Sequence, residues 1–110
     1  MKDALYKRED VRRLCDAFVS CKTRDDVFAF MRDVMTETEV DEFANRLTAA
    51  IMLSEKKSYD DIAKVTAMST TTIARVSRWL QKGNGGYTKV IAALHHHGKK
   101  TIARSGVSLK

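Results

Sequence analysis

Residues 58–78 of this 110-residue chain read SYDDIAKVTAMSTTTIARVSR, and this stretch decides the fold. It contains two short helical patterns, each opened by a serine. Ser58 precedes a helix predicted over Tyr59–Val65, and Ser69 precedes a second helix that runs to about Gln81. Serine is a favoured N-cap residue because its hydroxyl accepts an amide hydrogen bond from the first turn of a helix. Two short helices joined by a tight turn predict a helix-turn-helix.

The side chains in this stretch meet the steric demands of that motif. A small residue is needed where the helices cross, and Ala63 stands there; the turn needs another small residue four positions later, where Ala67 stands. Apolar residues that fasten the second helix to the first are expected at Ile62, Met68, Ile73 and Val76. Glycine is the usual residue at the turn position, and alanine at positive φ costs about 1 kcal/mol. The sequence therefore leaves open a different backbone path through the turn.

The remaining side chains of the second helix are short polar or basic groups, which favour a surface that reads DNA. The predicted DNA-binding residues are Ser69, Thr70, Thr71, Thr72, Arg75 and Arg78. Threonine hydroxyls bond bases or phosphates and their methyl groups contact thymine, whereas arginine binds a guanine edge or a phosphate. The alternative is an ordinary helical hairpin, but a solvated helix usually mixes acidic and basic side chains.

Charge is distributed unevenly along the chain. Residues 1–53 hold nine Lys/Arg and eleven Asp/Glu, a net charge of −2, whereas residues 54–110 hold eleven Lys/Arg and three Asp/Glu, a net charge of +8. No carboxylate side chain follows Asp61. A basic half of this kind indicates a polyanionic partner, most commonly nucleic acid, although a basic tail that only aids solubility has the same composition.

The rest of the chain also shows helical periodicity, so the predicted fold class is all-α with six helices. The other four helices are predicted over Ala4–Cys21, from Thr23 to about Val34, from the capping box Thr36–Glu39 to about Leu53, and over Tyr87–His97. We expect a single helical domain over residues 1–97. Its parts are a dimerisation core (1–53), a helix-turn-helix reading head (58–81) and a C-terminal helix (87–97), followed by a basic flexible tail (98–110).

Several other classes of protein are disfavoured. The longest apolar stretch, Leu47–Leu53, is far shorter than the roughly 20 residues that span a bilayer, and no signal peptide is visible. We therefore expect a cytoplasmic protein with no membrane partner. No nucleophile and base or metal-ligand pattern stands out, so we expect no enzyme. Adjacent histidines at His95–His97 point about 100° apart on a helix and cannot easily share one metal, which leaves a surface or phosphate-contacting role.

The residues around the helix-turn-helix resemble the tryptophan repressor superfamily. The resemblance rests on Arg46-Leu47-Thr48, on the capped helix from Ser58 to Ala63, and on the run from Ser69 to Arg78. The continuation through Trp79-Leu80 and Gly83–Tyr87 is similar to its YerC/YecD-type branch, and the whole resemblance covers roughly residues 36–92.

The resemblance implies a tryptophan-repressor-like, intertwined homodimer whose two heads read successive major grooves of a palindromic operator on double-stranded DNA. The expected function is a sequence-specific DNA-binding transcriptional regulator that acts as a repressor. The alternative is a helical protein-interaction module that kept the helix-turn-helix shape without reading DNA.

The resemblance also implies a pocket for the corepressor L-tryptophan. The residues at the family's ligand-contacting positions are Arg46, Arg75 and Trp79. Arg46 falls one residue out of register, and Arg75 matches the arginine that stacks over the indole. Trp79 replaces a small hydroxyl residue and Val76 replaces a glycine, so one hypothesis is that both fill the pocket and that tryptophan is not the corepressor. The sequence leaves open whether L-tryptophan, another small corepressor or none is used. The other is that Trp79 is a core aromatic packed on the third helix.

Overall fold

A computed structural model of the chain describes residues 3–105, with side chains described over residues 3–96. A short 3-10 helix (Ala4–Lys7) comes first. Six helices follow: α1 (Glu9–Ser20), α2 (Arg24–Val34), α3 (Glu37–Ser54), α4 (Tyr59–Thr66), α5 (Thr70–Lys82) and α6 (Gly86–Ser105). The described residues contain no strand, and the all-α, six-helix prediction is confirmed.

Four helix starts are capped as their sequences predict. Thr23, Ser58 and Ser69 each accept a hydrogen bond from the amide three residues later. At α3 the capping box is reciprocal: the Glu39 amide donates to Thr36 Oγ1 at 3.1 Å, and the Thr36 amide donates to the Glu39 carboxylate at 2.9 Å. These bonds satisfy amides that have no partner within the first turn of a helix.

The prediction of one helix over Ala4–Cys21 is wrong at its N-terminal end. Asp3 accepts the Leu5 amide at 2.9 Å and caps the 3-10 helix, and Arg8 then adopts extended backbone angles (φ −73°, ψ 129°). The Arg8 guanidinium binds the Asp10 carboxylate at 2.9 Å, which favours the break because the pair spans the start of α1. The apolar period continues through the break, so periodicity alone could not reveal it.

The last helix is longer than predicted. It continues to Ser105, whereas the sequence predicts an end at His97 and a flexible tail from residue 98. Glycine weakens a helix without stopping it, so Gly98 does not end α6. Residues 106–110, the remainder of the predicted tail, lie outside the described residues.

The chain divides into two compact units, Met1–Glu42 and Phe43–Lys110. This division falls inside α3, whereas the predicted dimerisation core continued to residue 53. The reason is that Ala49 and Ala50 of α3 are fully buried in the core of the second unit, together with Ile62, Ile73 and Val76. None of the described helices is both long and apolar enough to cross a membrane.

The N-terminal unit is rich in exposed apolar surface. The 3-10 helix, α1 and α2 contain no buried residue. Phe18 and Phe30 pack edge to face with ring centroids 5.0 Å apart, but Val19 and Phe28 keep 81% and 55% of their surface exposed. Apolar surface on this scale is typical of a face that another polypeptide covers.

Candidate functional site

The helix-turn-helix is built from α4, the turn at residues 67–69, and α5. Ile62 of α4 and Ile73 and Val76 of α5 are buried together against the second half of α3. Ala63 and Met68 are partly buried and pack against the same cluster. The apolar residues thus lie where the sequence predicts, and they fix α5 on the body of the second unit.

The turn is left-handed at Ala67. Its backbone angles are φ 59° and ψ 16°, and its amide donates to the Ala63 carbonyl at 2.8 Å. The turn therefore has the left-handed backbone conformation that glycine usually adopts at this position, although the residue here is alanine. The alternative backbone path that the sequence left open is not used.

Thr66 is a contributor to this turn that sequence reasoning missed. It is 6% exposed, and its hydroxyl donates to the Ile62 carbonyl at 2.8 Å while accepting the Met68 amide at 3.2 Å. A buried threonine at the end of a helix is not distinguished from a solvated one by apolar periodicity. The signal in the sequence that could have found it is its position immediately before Ala67, the small residue that the motif requires in the turn.

The predicted DNA-binding hydroxyls fall into two pairs. Ser69 Oγ accepts the Thr72 amide at 3.1 Å and lies 2.9 Å from Thr72 Oγ1, so these two hydroxyls form the N-cap of α5. Thr70 and Thr71 are exposed in the first turn, and neither side chain has a hydrogen bond to another described residue. Only the second pair is fully available to a ligand in this conformation.

Arg75 and Arg78 follow on α5, and both are exposed. Over residues 3–96 the ion pairs are Arg8–Asp10 and Glu9–Arg13, which both lie in the N-terminal unit. The two α5 guanidinium groups thus have no carboxylate to neutralise them within that range. The first turn of α5 also carries no acid, unlike the first turns of α1 to α4. The surface is positive and rich in hydrogen-bond donors, which suits a phosphate or a base edge.

The three residues predicted for a ligand pocket are placed separately. The Arg46 guanidinium lies 5.3 Å from the centre of the Phe43 ring. Trp79 borders an open groove of about 460 Å³. Arg46 and Arg75 are not among the described residues that line this groove. The lining residues are Leu47, Trp79, Gly83, Asn84, Gly86, Tyr87 and Val90.

The interpretation of Trp79 as a core aromatic is wrong for a single protomer. The side chain is 60% exposed, whereas Val76, one turn earlier, is 3% exposed and belongs to the core. α5 continues for one more turn after Trp79 and ends at Lys82, and the amide of the C-cap residue Gly83 donates to the Trp79 carbonyl at 2.9 Å. A Cβ at position 83 would collide with that carbonyl oxygen. Glycine is therefore required because the Trp79 carbonyl lies so close to its Cα, and not because the backbone is left-handed.

The histidines of α6 carry no recognisable metal geometry in the described part of the chain. His95 lines a second groove, of about 550 Å³, and His96 is exposed. The side chain of His97 lies outside the described residues. Among the side chains that are described, no cluster of three or more His, Cys, Asp or Glu is placed to hold a metal ion.

Comparison with known proteins gives a consistent picture. A family-wide sequence profile, described as Trp repressor protein, matches residues 9–95. The chain is 35% identical over 79 residues to the uncharacterized protein YerC of Bacillus subtilis strain 168, covering 72% of this chain and 76% of that protein.

Two solved structures are similar over most of their length. A TrpR-like protein from Eubacterium eligens ATCC 27750 superposes with a TM-score of 0.77 at 35% identity, over 98% of this chain and all of that one. A candidate Trp repressor from Staphylococcus aureus superposes with a TM-score of 0.79 at 29% identity, over 86% of this chain and 95% of that one.

Proposed function

Because the chain belongs to the Trp repressor family, we propose that it is a sequence-specific DNA-binding regulator that represses transcription by occupying an operator. The observation that carries the proposal is the exposed face of α5. Thr70, Thr71, Arg75 and Arg78 present hydroxyl and guanidinium donors there, and no carboxylate side chain follows Asp61 in the sequence. The N-terminal part of a recognition helix is the part that meets base edges in the major groove.

Roles can be assigned within this face. Thr70 and Thr71 contact bases, because their hydroxyls are exposed and have no hydrogen bond to another described residue. Ser69 and Thr72 hold the end of the helix in shape through their shared hydrogen bond. Arg75 binds a guanine edge or a phosphate, and Arg78 binds the phosphate backbone.

The working form is a homodimer in the cytoplasm that recognises a palindromic operator. The support is the N-terminal unit, whose apolar side chains are left exposed in one protomer. A second copy that covers them also supplies a second α5. Two such helices one DNA turn apart, about 34 Å, reach successive major grooves on one face of the duplex.

L-tryptophan is not the corepressor in this proposal. The side chain of Val76 is buried in the core, and the indole of Trp79 borders the open groove. By the resemblance in sequence, these two residues replace a glycine and a small hydroxyl residue of the family's ligand pocket. Calorimetric titration of the protein with L-tryptophan tests this part. The expected result is no measurable heat of binding, and micromolar affinity would overturn it.

The DNA-binding proposal is tested by the salt dependence of affinity. Binding to double-stranded fragments selected from a randomised pool is measured between 50 and 200 mM salt. Each phosphate contact contributes about −0.9 to the slope of log K against log salt concentration, so a steep negative slope is expected. Flat, weak binding and failure to select any fragment would overturn the proposal and favour a protein-interaction module.

A further inference from the structure

Thr66 is the one polar residue that is buried among the residues with described side chains. It is the last residue of α4, and the next residue, Ala67, is the left-handed one. Burial of a hydroxyl is unfavourable unless it is hydrogen-bonded, and this hydroxyl is bonded twice. It donates to the Ile62 carbonyl one turn earlier and accepts the Met68 amide two residues later.

The second of these bonds crosses the strained position. The Met68 amide is the first donor after Ala67, and its acceptor is a side-chain oxygen anchored on α4. The left-handed conformation is unfavourable for alanine because its Cβ crowds the backbone. A hydrogen bond from one side of Ala67 to the other favours that conformation over the extended alternatives. The β-branched threonine side chain has few rotamers, so the oxygen is held in place for both partners.

We propose that the Thr66 hydroxyl is a positioning group for the recognition helix. It holds the turn in its left-handed form without glycine and so sets the direction in which α5 leaves α4. The inference rests on the proposed function for its effect on DNA. Its effect on the turn itself is independent of DNA, which allows the two to be tested separately.

The structural test uses Thr66→Val, which keeps the shape of the side chain and removes the hydroxyl. Hydrogen exchange of the Met68 amide is measured by NMR in the free protein. We expect exchange about tenfold faster or more in T66V, because the amide loses its acceptor. Thr66→Ser keeps the oxygen and should remain within about threefold of the native rate. An unchanged rate in T66V would overturn the proposal whatever the protein does with DNA.

The functional test compares a fragment selected by the native protein with an unrelated duplex at one salt concentration. In T66V the affinity for the selected fragment should fall about tenfold, whereas the affinity for the unrelated duplex should change by less than about twofold. The reason is that a change in the direction of α5 affects base contacts more than phosphate contacts. Equal loss on both duplexes would overturn the positioning role. If the native protein distinguishes no fragment, the proposed function fails and the exchange experiment still tests the turn.

The double variant T66V/A67G separates positioning from general damage. Glycine adopts the left-handed conformation without the Cβ penalty, so A67G should restore at least half of the affinity that T66V loses, on a logarithmic scale. Thr48→Val, at a half-buried threonine of α3 outside the motif, is the matched control and should not be rescued by A67G. Absence of rescue in T66V would contradict a role through Ala67.

Discussion

The hydroxyl oxygens of Ser69 and Thr72 lie 2.9 Å apart at the start of α5, and Ser69 also accepts the Thr72 amide. The two residues cap the helix that carries the candidate DNA-contacting side chains. Their neighbours Thr70 and Thr71 stand in the same turn without such bonds to described residues. Adjacent hydroxyls therefore have different roles, and substitutions can separate them.

Ser69→Ala is expected to lower the free energy of unfolding by about 1 kcal/mol, because it removes the N-cap of α5. Thr71→Val, which keeps the shape of an exposed side chain, should leave the stability within about 0.5 kcal/mol of the native value while weakening binding to the selected DNA. Urea titration and fluorescence anisotropy measure the two effects. Equal destabilisation by both substitutions would contradict the division of roles.

Arg75→Ala is expected to weaken binding to the selected fragment by about 1–3 kcal/mol and to relax specificity at one position, if the guanidinium reads a base. A uniform loss on all sequences, with the salt slope reduced by about 1, makes Arg75 a phosphate contact instead. Arg32→Ala removes an exposed charge of the same kind from α2 and is the control. If R75A lost no affinity for the selected fragment or for other sequences, the assignment of α5 as the recognition helix would be contradicted.

Ala67→Gly is expected to raise the free energy of unfolding by up to about 1 kcal/mol, because the left-handed conformation costs glycine nothing. The control is Ala63→Gly in α4, which should lower it by about 1 kcal/mol since glycine weakens a helix interior. Chemical unfolding at a fixed protein concentration gives both values. Destabilisation by A67G would show that the methyl group of Ala67 has a packing role that outweighs its strain.

Phe28→Asp is expected to raise the dissociation constant of the homodimer at least about tenfold, because it places a charge on apolar surface that the partner buries. Val65→Asp introduces the same charge at an exposed valine of α4 and should leave the dimer intact. Sedimentation equilibrium over a range of concentrations measures both. A dimer equally stable in F28D would place the interface elsewhere.

The hydrogen bond from Arg8 holds the pKa of the Asp10 carboxyl below its usual value. The folded state therefore favours the charged carboxylate, and the interaction is present above the usual pKa and lost as the pH falls through the lowered one. Arg8→Ala should raise the pKa of Asp10 toward the ordinary value, whereas Arg12→Ala should leave it low. NMR titration of the side-chain carboxyl carbons decides between these outcomes.

Local signals in the sequence predicted much of the fold and of the site. Caps such as Ser58, Ser69 and the Thr36–Glu39 box depend on residues three positions apart, so they can be seen without knowledge of the tertiary structure. The buried residues Ile62, Ile73 and Val76 follow the helical period. The helix-turn-helix could therefore be placed to within one or two residues.

The features that were missed depend on tertiary context. Val76 and Trp79 share a face of α5 by period, yet one is buried and the other borders an open groove. Periodicity shows which side chains share a face but not how far the neighbouring helix extends along it. The burial of Thr66 and the break at Arg8 were missed for a related reason. Thr66 bonds a backbone carbonyl and Arg8 bonds the neighbouring Asp10 carboxylate, and such local polar bonds have no periodic signature.

Trp79 is the sole tryptophan of the chain, and it stands exposed at the C-terminal end of α5 beside Leu47 and Tyr87. Indole emission shifts to shorter wavelength when water is removed from around the ring, so the unlabelled protein carries an optical reporter at this one place. Any partner chain, small molecule or conformational change that covers the groove will shift the emission wavelength of Trp79. A change elsewhere in the protein that leaves the groove uncovered will not. Trp79 thus gives a direct spectroscopic view of what happens in this groove.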